Sequence, residues 1–495
     1  MRGDTLWGLA QCLLWGWASG LEQRSDTDLA SILSTTTVYV PTTIYACTPP
    51  PVISTSTGPN VGVGTTTASA SVSPTSASST ERQPPKPTSP VGYPSPLPPA
   101  PFRGFRNAVY FTNWGINGSN FHPQELPVSQ LTHIFYAFAD IDVNGTVKSS
   151  DPAVDLERRY PRDWRQTQGV SNAYGAVKQL YLHKKRNRNL KTVLSIGGWN
   201  FSPKFPAVAA TDTTRRAFAA SAVRLVTDWG FDGIDVDWEF PETDADRDNY
   251  VKLLAACREA FDLYSLRHHL RYRFAISVAS SAIPHNYNRM DLVGMDRYVD
   301  TWNLMAYDYS GSWDTVSGHQ ANVFAYGPRN GTGLARPNTD DAVRHYVGQG
   351  VEARKIGMGL PLYGRGFAGT AGLGRNYTGL STGGPQPGVF YYRQLPRAGA
   401  AERYDGEAQA AYSYDDARRE LVSYDNVRSA AFKAAYLRRR GLGGAFFWEA
   451  SGDRAGPRSL VRTVAHHLAA LDDTPNNLHY PTSRYHNIRW GMPGE

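Results

Sequence analysis

Eight short runs rich in β-branched and aromatic residues alternate with longer stretches of helical periodicity between positions 108 and 448. That alternation limits the fold more than any other feature of the chain. The runs are 108–112, 132–139, 191–196, 233–238, 273–279, 300–305, 355–362 and 445–448, and two of the helical patterns between them are 213–229 and 247–263. Strand and helix in regular succession build a parallel sheet, and eight such units across about 370 residues predict an α/β fold closed as a (β/α)8 barrel. An open doubly wound sheet is the alternative, but no GxGxxG follows the first run. Between the seventh and eighth runs the chain is too long for one helix. Its polar, Gly- and Tyr-rich stretch from about 365 to 423 reads as an inserted subdomain.

The barrel pattern occupies 102–471 of the 495 residues, and the flanking composition differs sharply. Arg2 followed by the apolar stretch LWGLAQCLLWGW and the small residues Ala18-Ser19-Gly20 reads as a secretory signal over 1–20; an ordinary amphipathic helix is the alternative. Residues 21–101 follow as a Ser/Thr/Pro-rich stalk, with 40 of the residues from 34 to 101 being Ser, Thr or Pro. Such a segment lacks the apolar surface to offset the entropy of ordering, so it is expected to be disordered, with or without O-linked sugar. Sequons at Asn117, Asn144, Asn200, Asn330 and Asn376 fit the same secreted, extracellular or wall-associated location. The last segment, 472–495, reads as a polar tail.

No apolar run reaches the length of a membrane span. The three cysteines (Cys12, Cys47, Cys257) exclude a disulfide scaffold and a four-cysteine zinc site, and Cys257 is expected to be a small buried hydrophobe. A net charge of +7 without a basic cluster gives no reason to expect nucleic acid.

The fourth run carries the chemistry. In FDGIDVDWEF (231–240), strand alternation places Asp235, Asp237 and Glu239 on one side and Ile234, Val236 and Trp238 on the other. In a barrel the first side is the interior, with Glu239 at the C-terminal mouth where sites are built. Asp232 breaks the alternation and is expected to tether the strand entrance. Three carboxylates on a buried face cost several kcal/mol unless they share protons or hydrogen bonds. Crowded like charges raise a pKa and keep one carboxyl protonated near neutrality, which is what glycoside cleavage asks of its general acid. A divalent-cation site is the alternative, ranked lower because no second ligand cluster completes a coordination sphere; no metal and no cofactor is expected.

The same segment resembles the DxxDxDxE signature of family 18 glycoside hydrolases, the chitinase family. Ser195-Ile-Gly197-Gly198-Trp199 resembles the family's SxGG motif on strand three, and Met305-Ala-Tyr307-Asp308 its MxYD motif on strand six. Tyr363-Gly-Arg365-Gly-Phe367 is similar to the strand-seven end of members with an α+β insertion, and Gly443–Trp448 to the strand-eight ending. The resemblance implies a TIM barrel and an endo- or exo-acting chitinase, monomeric, taking chitin or chitooligosaccharides. It also implies roles. Glu239 protonates the glycosidic oxygen, Asp237 orients the substrate acetamide, Asp235 shares a proton with Asp237, and Tyr307 holds the acetamido oxygen that attacks the anomeric carbon. Trp448 floors the distorted sugar, and Tyr110, Trp114, Phe138, Trp199, Met305, Asp308, Tyr363 and Arg365 occupy further cleft positions. Phe240 stands where many chitinases have Tyr, which removes a hydroxyl contact.

Two other readings compete. A non-catalytic lectin-like relative typically loses the acid, whereas Glu239 is present. An endo-β-N-acetylglucosaminidase uses a similar acid motif, but the long insertion and many cleft aromatics favour a polymer-binding groove.

Overall fold

The computed structural model describes residues 103–161, 163, 171–327 and 336–495. The expected signal and stalk, Cys12, Cys47 and the Asn330 sequon lie outside these residues. Eight parallel strands close into a barrel: β1 (Arg106–Thr112), β2 (His133–Ile141), β3 (Lys191–Gly197), β4 (Gly233–Asp237), β5 (Ala275–Ser281), β6 (Thr301–Met305), β7 (Ile356–Pro361) and β8 (Gly444–Trp448). Neighbours pair in sequence order, and β8 pairs with β1 to complete the ring. Every strand lies where a sequence run predicts one, because strands covered on both faces read as continuous apolar runs.

Helices α1 (Gly175–Arg186), α2 (Asp212–Trp229), α3 (Asp244–Arg267), α4 (Thr339–Gly348), α5 (Val427–Arg439) and α6 (Leu460–Leu468) follow β2, β3, β4, β6, β7 and β8, whereas β1 and β5 are followed by short helical turns. Helix α2 starts on Thr211, whose hydroxyl accepts from Thr214 N–H, and stops at Gly230 in the left-handed conformation (φ 72°). Helix α3 opens with a capping box between Thr243 and Asp246. Their apolar faces meet the outward residues of the strands in one large core that includes Cys257, buried as expected. No helix of the described residues is long and apolar enough to cross a membrane.

Between β7 and β8 the chain leaves the barrel to form an antiparallel sheet. Strand Tyr363–Ala368 is its centre, flanked by Glu420–Tyr424 on one side and by Gly379–Leu380 and Val389–Tyr391 on the other. Ala410–Asp415 and Ala401–Asp405 extend the sheet outward. Phe367, Tyr414 and Leu421 form its own small core.

Residues 472–495, read from the sequence as a polar tail, are docked on the barrel. Tyr480, Ile488 and Met492 are buried. Asn477 N–H donates to Asp232 Oδ1 (2.9 Å), and the Tyr480 hydroxyl donates to Phe231 O (2.9 Å). Asp232 therefore ties several elements together at the start of β4. Its Oδ2 accepts from Thr192 N–H (2.8 Å) and pairs with Lys184 Nζ of α1 (2.8 Å), while Tyr272 donates to Oδ1 (3.0 Å). Burial pulls the Lys184 ammonium down to about 8 even with Asp232 beside it. Asp232→Ala leaves that ammonium buried without its counter-charge, with only Gly230 O (2.6 Å) and Tyr480 Oη (2.7 Å) to accept from it, which costs about 3–5 kcal/mol. A lowered Tm with kcat per folded molecule retained is the expected result; an unchanged Tm would show that Asp232 tethers nothing.

Candidate active site

All five residues of β4 are buried. Ile234 and Val236 pack into the helix-facing core, and Trp238 just beyond the strand stacks on Phe205 at 5.2 Å and 8°. The opposite parity sends Asp235 and Asp237 into the barrel and brings Glu239 out into the cleft.

Asp235 sits at the bottom of this column, fully buried, and accepts four hydrogen bonds. Tyr110 and Ser195 donate their hydroxyls to Oδ2 at 2.8 and 2.7 Å. Ser277 Oγ and Asn303 Nδ2 donate to Oδ1 at 2.7 and 3.1 Å. Asp237, one step up, differs: its Oδ1 is buried with no hydrogen-bond partner among the described residues. Burial raises all three carboxyls. Asp237 is held well above the usual carboxylate range by burial and then by the neighbouring Glu239 and Asp235 charges. Burial and the nearby Asp308 charge push Glu239 up to about 8, against the pull of a hydrogen bond from the Trp199 backbone. For Asp235 burial is opposed by its four donors. Donors stabilise the ionised form, so the negative charge belongs on Asp235 and the protons at the Asp237–Glu239 end.

A third acid faces the cleft just after β6. Asp308 accepts from Tyr363 Oη (2.6 Å) and Arg365 Nε (2.9 Å) at Oδ1, and from Arg365 Nη2 (2.8 Å) at Oδ2. This bidentate clamp comes from the first strand of the insertion and occupies both oxygens.

The glycines of the strand-three motif are steric necessities. Gly197 (φ 109°) lies so close to β4 that a Cβ would stand 2.3 Å from Asp237 O, and one on Gly198 (φ 71°) would stand 2.3 Å from the Phe138 ring. Phe138 in turn stacks on Trp114 (5.8 Å, 30°) and Trp448 (5.8 Å, 22°), and Tyr110 meets Trp448 at 5.3 Å. The result is an aromatic wall facing the acids, a surface suited to the apolar faces of sugars.

Acids and wall line one open cleft, about 1010 Å³ when the space continuous with solvent is counted. Of the residues expected there, Tyr110, Trp114, Phe138, Gly197, Trp199, Asp237 and Glu239 line it, as do Met305, Tyr307, Asp308, Tyr363, Arg365 and Trp448. Gly198 and Phe240 are not among the lining residues: Gly198 is under the Phe138 ring, and Phe240 is half-buried beyond the rim. Asp235 lies beneath the floor and Asp232 at the far end of β4. Tyr110 lines the cleft by its ring, while its hydroxyl is engaged by Asp235.

Ser150, Asn200 and Phe201 also line the cleft and were not anticipated as site residues. Asn200 and Phe201 directly follow the strand-three motif, a signal that was available; Ser150 follows the short strand Val147–Ser149 and had none. The Asn200 sequon thus opens into the cleft, unlike those at Asn117, Asn144 and Asn376. Among the described residues, no group of three His, Cys, Asp or Glu side chains is arranged to hold a metal ion.

The model of glycosyl hydrolases family 18 matches residues 106–453, from β1 through the turn after β8. The chain is 48% identical over 405 residues to "Endochitinase 1" of Metarhizium robertsii, covering 82% of this chain and 95% of that protein. It is 47% identical over 390 residues to "Chitinase 1" of Aphanocladium album, covering 79% and 91%. Among solved structures, the catalytic domain of psychrophilic chitinase B from Arthrobacter TAD20 superposes with a TM-score of 0.67 at 28% identity, covering 76% of this chain and 98% of that one. The carboxylate column, the aromatic wall and the matched span agree, and the chain belongs to family 18 of the glycosyl hydrolases.

Proposed function

We propose that this chain hydrolyses β-1,4 linkages between N-acetylglucosamine units of chitin, with the substrate's own acetamido oxygen as the nucleophile and retention of the β configuration. The observation that carries this reading is the difference among the three cleft acids. Glu239 is raised to about 8 and so is protonated at neutral pH, as a general acid must be. Asp237 beside it offers a buried, unmatched Oδ1, and Trp199 an unmatched indole N–H. Asp308, the remaining cleft acid, has both oxygens bound by Arg365 and Tyr363 and is not free to activate a water from the opposite face. Among the described residues the cleft therefore contains an acid but no separate base of the kind an inverting enzyme needs.

The steps follow from these positions. A sugar lies on Trp448 with its acetamide toward Asp237 and Tyr307. Asp237 accepts the amide N–H and sharpens the nucleophilicity of the acetamido oxygen, which Tyr307 keeps beneath the anomeric carbon. As that oxygen bonds to the anomeric carbon, the glycosidic bond breaks and the leaving oxygen takes the Glu239 proton. Glu239, now ionised, removes a proton from the incoming water, which opens the cyclic intermediate. Two inversions leave the β anomer. NMR of the first product formed from an N-acetylglucosamine oligomer tests this directly: β anomer in excess before mutarotation is expected, and α anomer in excess overturns the mechanism.

Export is part of the same proposal. Its support is the apolar stretch before Gly20, the Ser/Thr/Pro-rich stalk, and the exposed sequon asparagines Asn117, Asn144 and Asn376. The protein from its native source should begin near Leu21 and carry sugar; an intact mass equal to the full unmodified chain refutes this.

A further inference from the structure

We infer that Ser202 is a positioning residue for the acid: its hydroxyl holds the backbone of Glu239 where β4 runs out of ladder partners. The inference rests on Glu239 being the acid. The ladder between β3 and β4 ends at the pair Gly197 and Asp237, so the backbone beyond Asp237 has no strand to bond to. The loop after β3 replaces it. Gly198 N–H donates to Asp237 O (2.8 Å). Ser202 Oγ accepts the Glu239 N–H (2.7 Å) and donates to the same Asp237 O (3.3 Å). One buried hydroxyl, 4% exposed, thereby bridges the two residues that carry the chemistry.

The loop itself is fixed from both ends, so the hydroxyl is a rigid support. Ser202 N–H bonds back to Gly198 O (2.9 Å), and Phe205 three residues on is fully buried with its ring stacked on Trp238, the residue between Asp237 and Glu239. Removing the hydroxyl leaves the partly buried Glu239 N–H without its acceptor, and the peptide must turn to find one. The carboxyl at the end of that peptide then moves relative to the glycosidic oxygen. Displacement by about 1 Å is worth on the order of 10²-fold in rate.

Ser202→Ala is the test, with kcat counted per folded molecule. On chitooligosaccharides, kcat is expected to fall about 10- to 100-fold with KM within about twofold. The loss should shrink on a 4-nitrophenyl glycoside, whose leaving group needs little protonation. Ser202→Thr, which restores the hydroxyl, should recover most of kcat. A Ser202→Ala enzyme with wild-type kcat overturns the inference even if its Tm is lower. An equal loss on both substrates, or a Ser202→Thr enzyme as slow as Ser202→Ala, does the same. Glu239→Gln measured alongside separates the two claims: an active Glu239→Gln defeats the acid assignment itself, whereas an inactive Glu239→Gln with a normal Ser202→Ala defeats only this one.

Discussion

Glu239→Gln is expected to fold, to bind chitooligosaccharide as the wild type does, and to turn over roughly 10²–10⁴-fold more slowly. Glutamine keeps the volume and the hydrogen-bonding reach of the side chain but has no proton to give the leaving oxygen. The pH dependence follows from the same group. An acid works in its protonated form, and Glu239 is raised to about 8 by burial and by Asp308. Wild-type kcat/KM should therefore hold through neutrality and fall as pH rises through about 8, because deprotonation removes the acid. In Glu239→Gln that basic limb should vanish from whatever rate remains. Steady-state kinetics across pH 5 to 10, with oligomer binding measured separately, checks both statements. Hydrolysis by Glu239→Gln at the wild-type rate would remove this residue from the mechanism.

Strand parity is why so much of this site can be read without coordinates. A period of two places Asp235, Asp237 and Glu239 in one column and Trp238 in the opposite core, and the structure agrees residue by residue. The eight barrel strands are legible for a related reason: each is covered by helices outside and by barrel contents inside, so each is a dense apolar run. What parity does not reveal is what meets the column from other strands. Ser277 and Asn303, two of the four donors to Asp235, are ordinary polar residues until the barrel closes, sets β5 beside β4 and lets Asn303 reach across the interior from β6. Ser150 enters the cleft through a short hairpin with no periodicity of its own. The docking of 472–495 is hidden for a similar reason. Tyr480, Ile488 and Met492 are isolated apolar residues in a polar stretch, and Asn477 finds Asp232 across 245 positions of chain. Local pattern shows which face a residue takes; partners distant in sequence appear only when the ring is assembled.

Asp237→Ala is expected to be nearly as damaging as loss of the acid, and by a separable route. Asp237 stands between the four-fold hydrogen-bonded Asp235 and the protonated Glu239, so its removal changes the packing and polarity directly beneath the acid. It also deletes the buried, unmatched Oδ1 that is available to an amide N–H. The nucleophile then loses its orientation, and turnover should fall by roughly 10²-fold or more, on the scale of a displaced reacting group. Asp237→Asn separates the two effects: it keeps a side chain of the same shape and an oxygen that can accept the amide N–H, but has no carboxyl proton to pass to Asp235 and so cannot develop charge as the acetamide becomes the nucleophile. Asn should therefore bind substrate better than Ala while remaining slow. A substrate lacking the acetyl group at the cleaved sugar supplies the decisive comparison. Wild-type enzyme should be almost inert toward it, and Asp237→Ala should cost little further, since the group on which Asp237 acts is already missing. If the deacetylated sugar is cleaved at a rate close to the acetylated one, or if Asp237→Ala slows both equally, then Asp237 serves the acid alone and the acetamide is not the nucleophile.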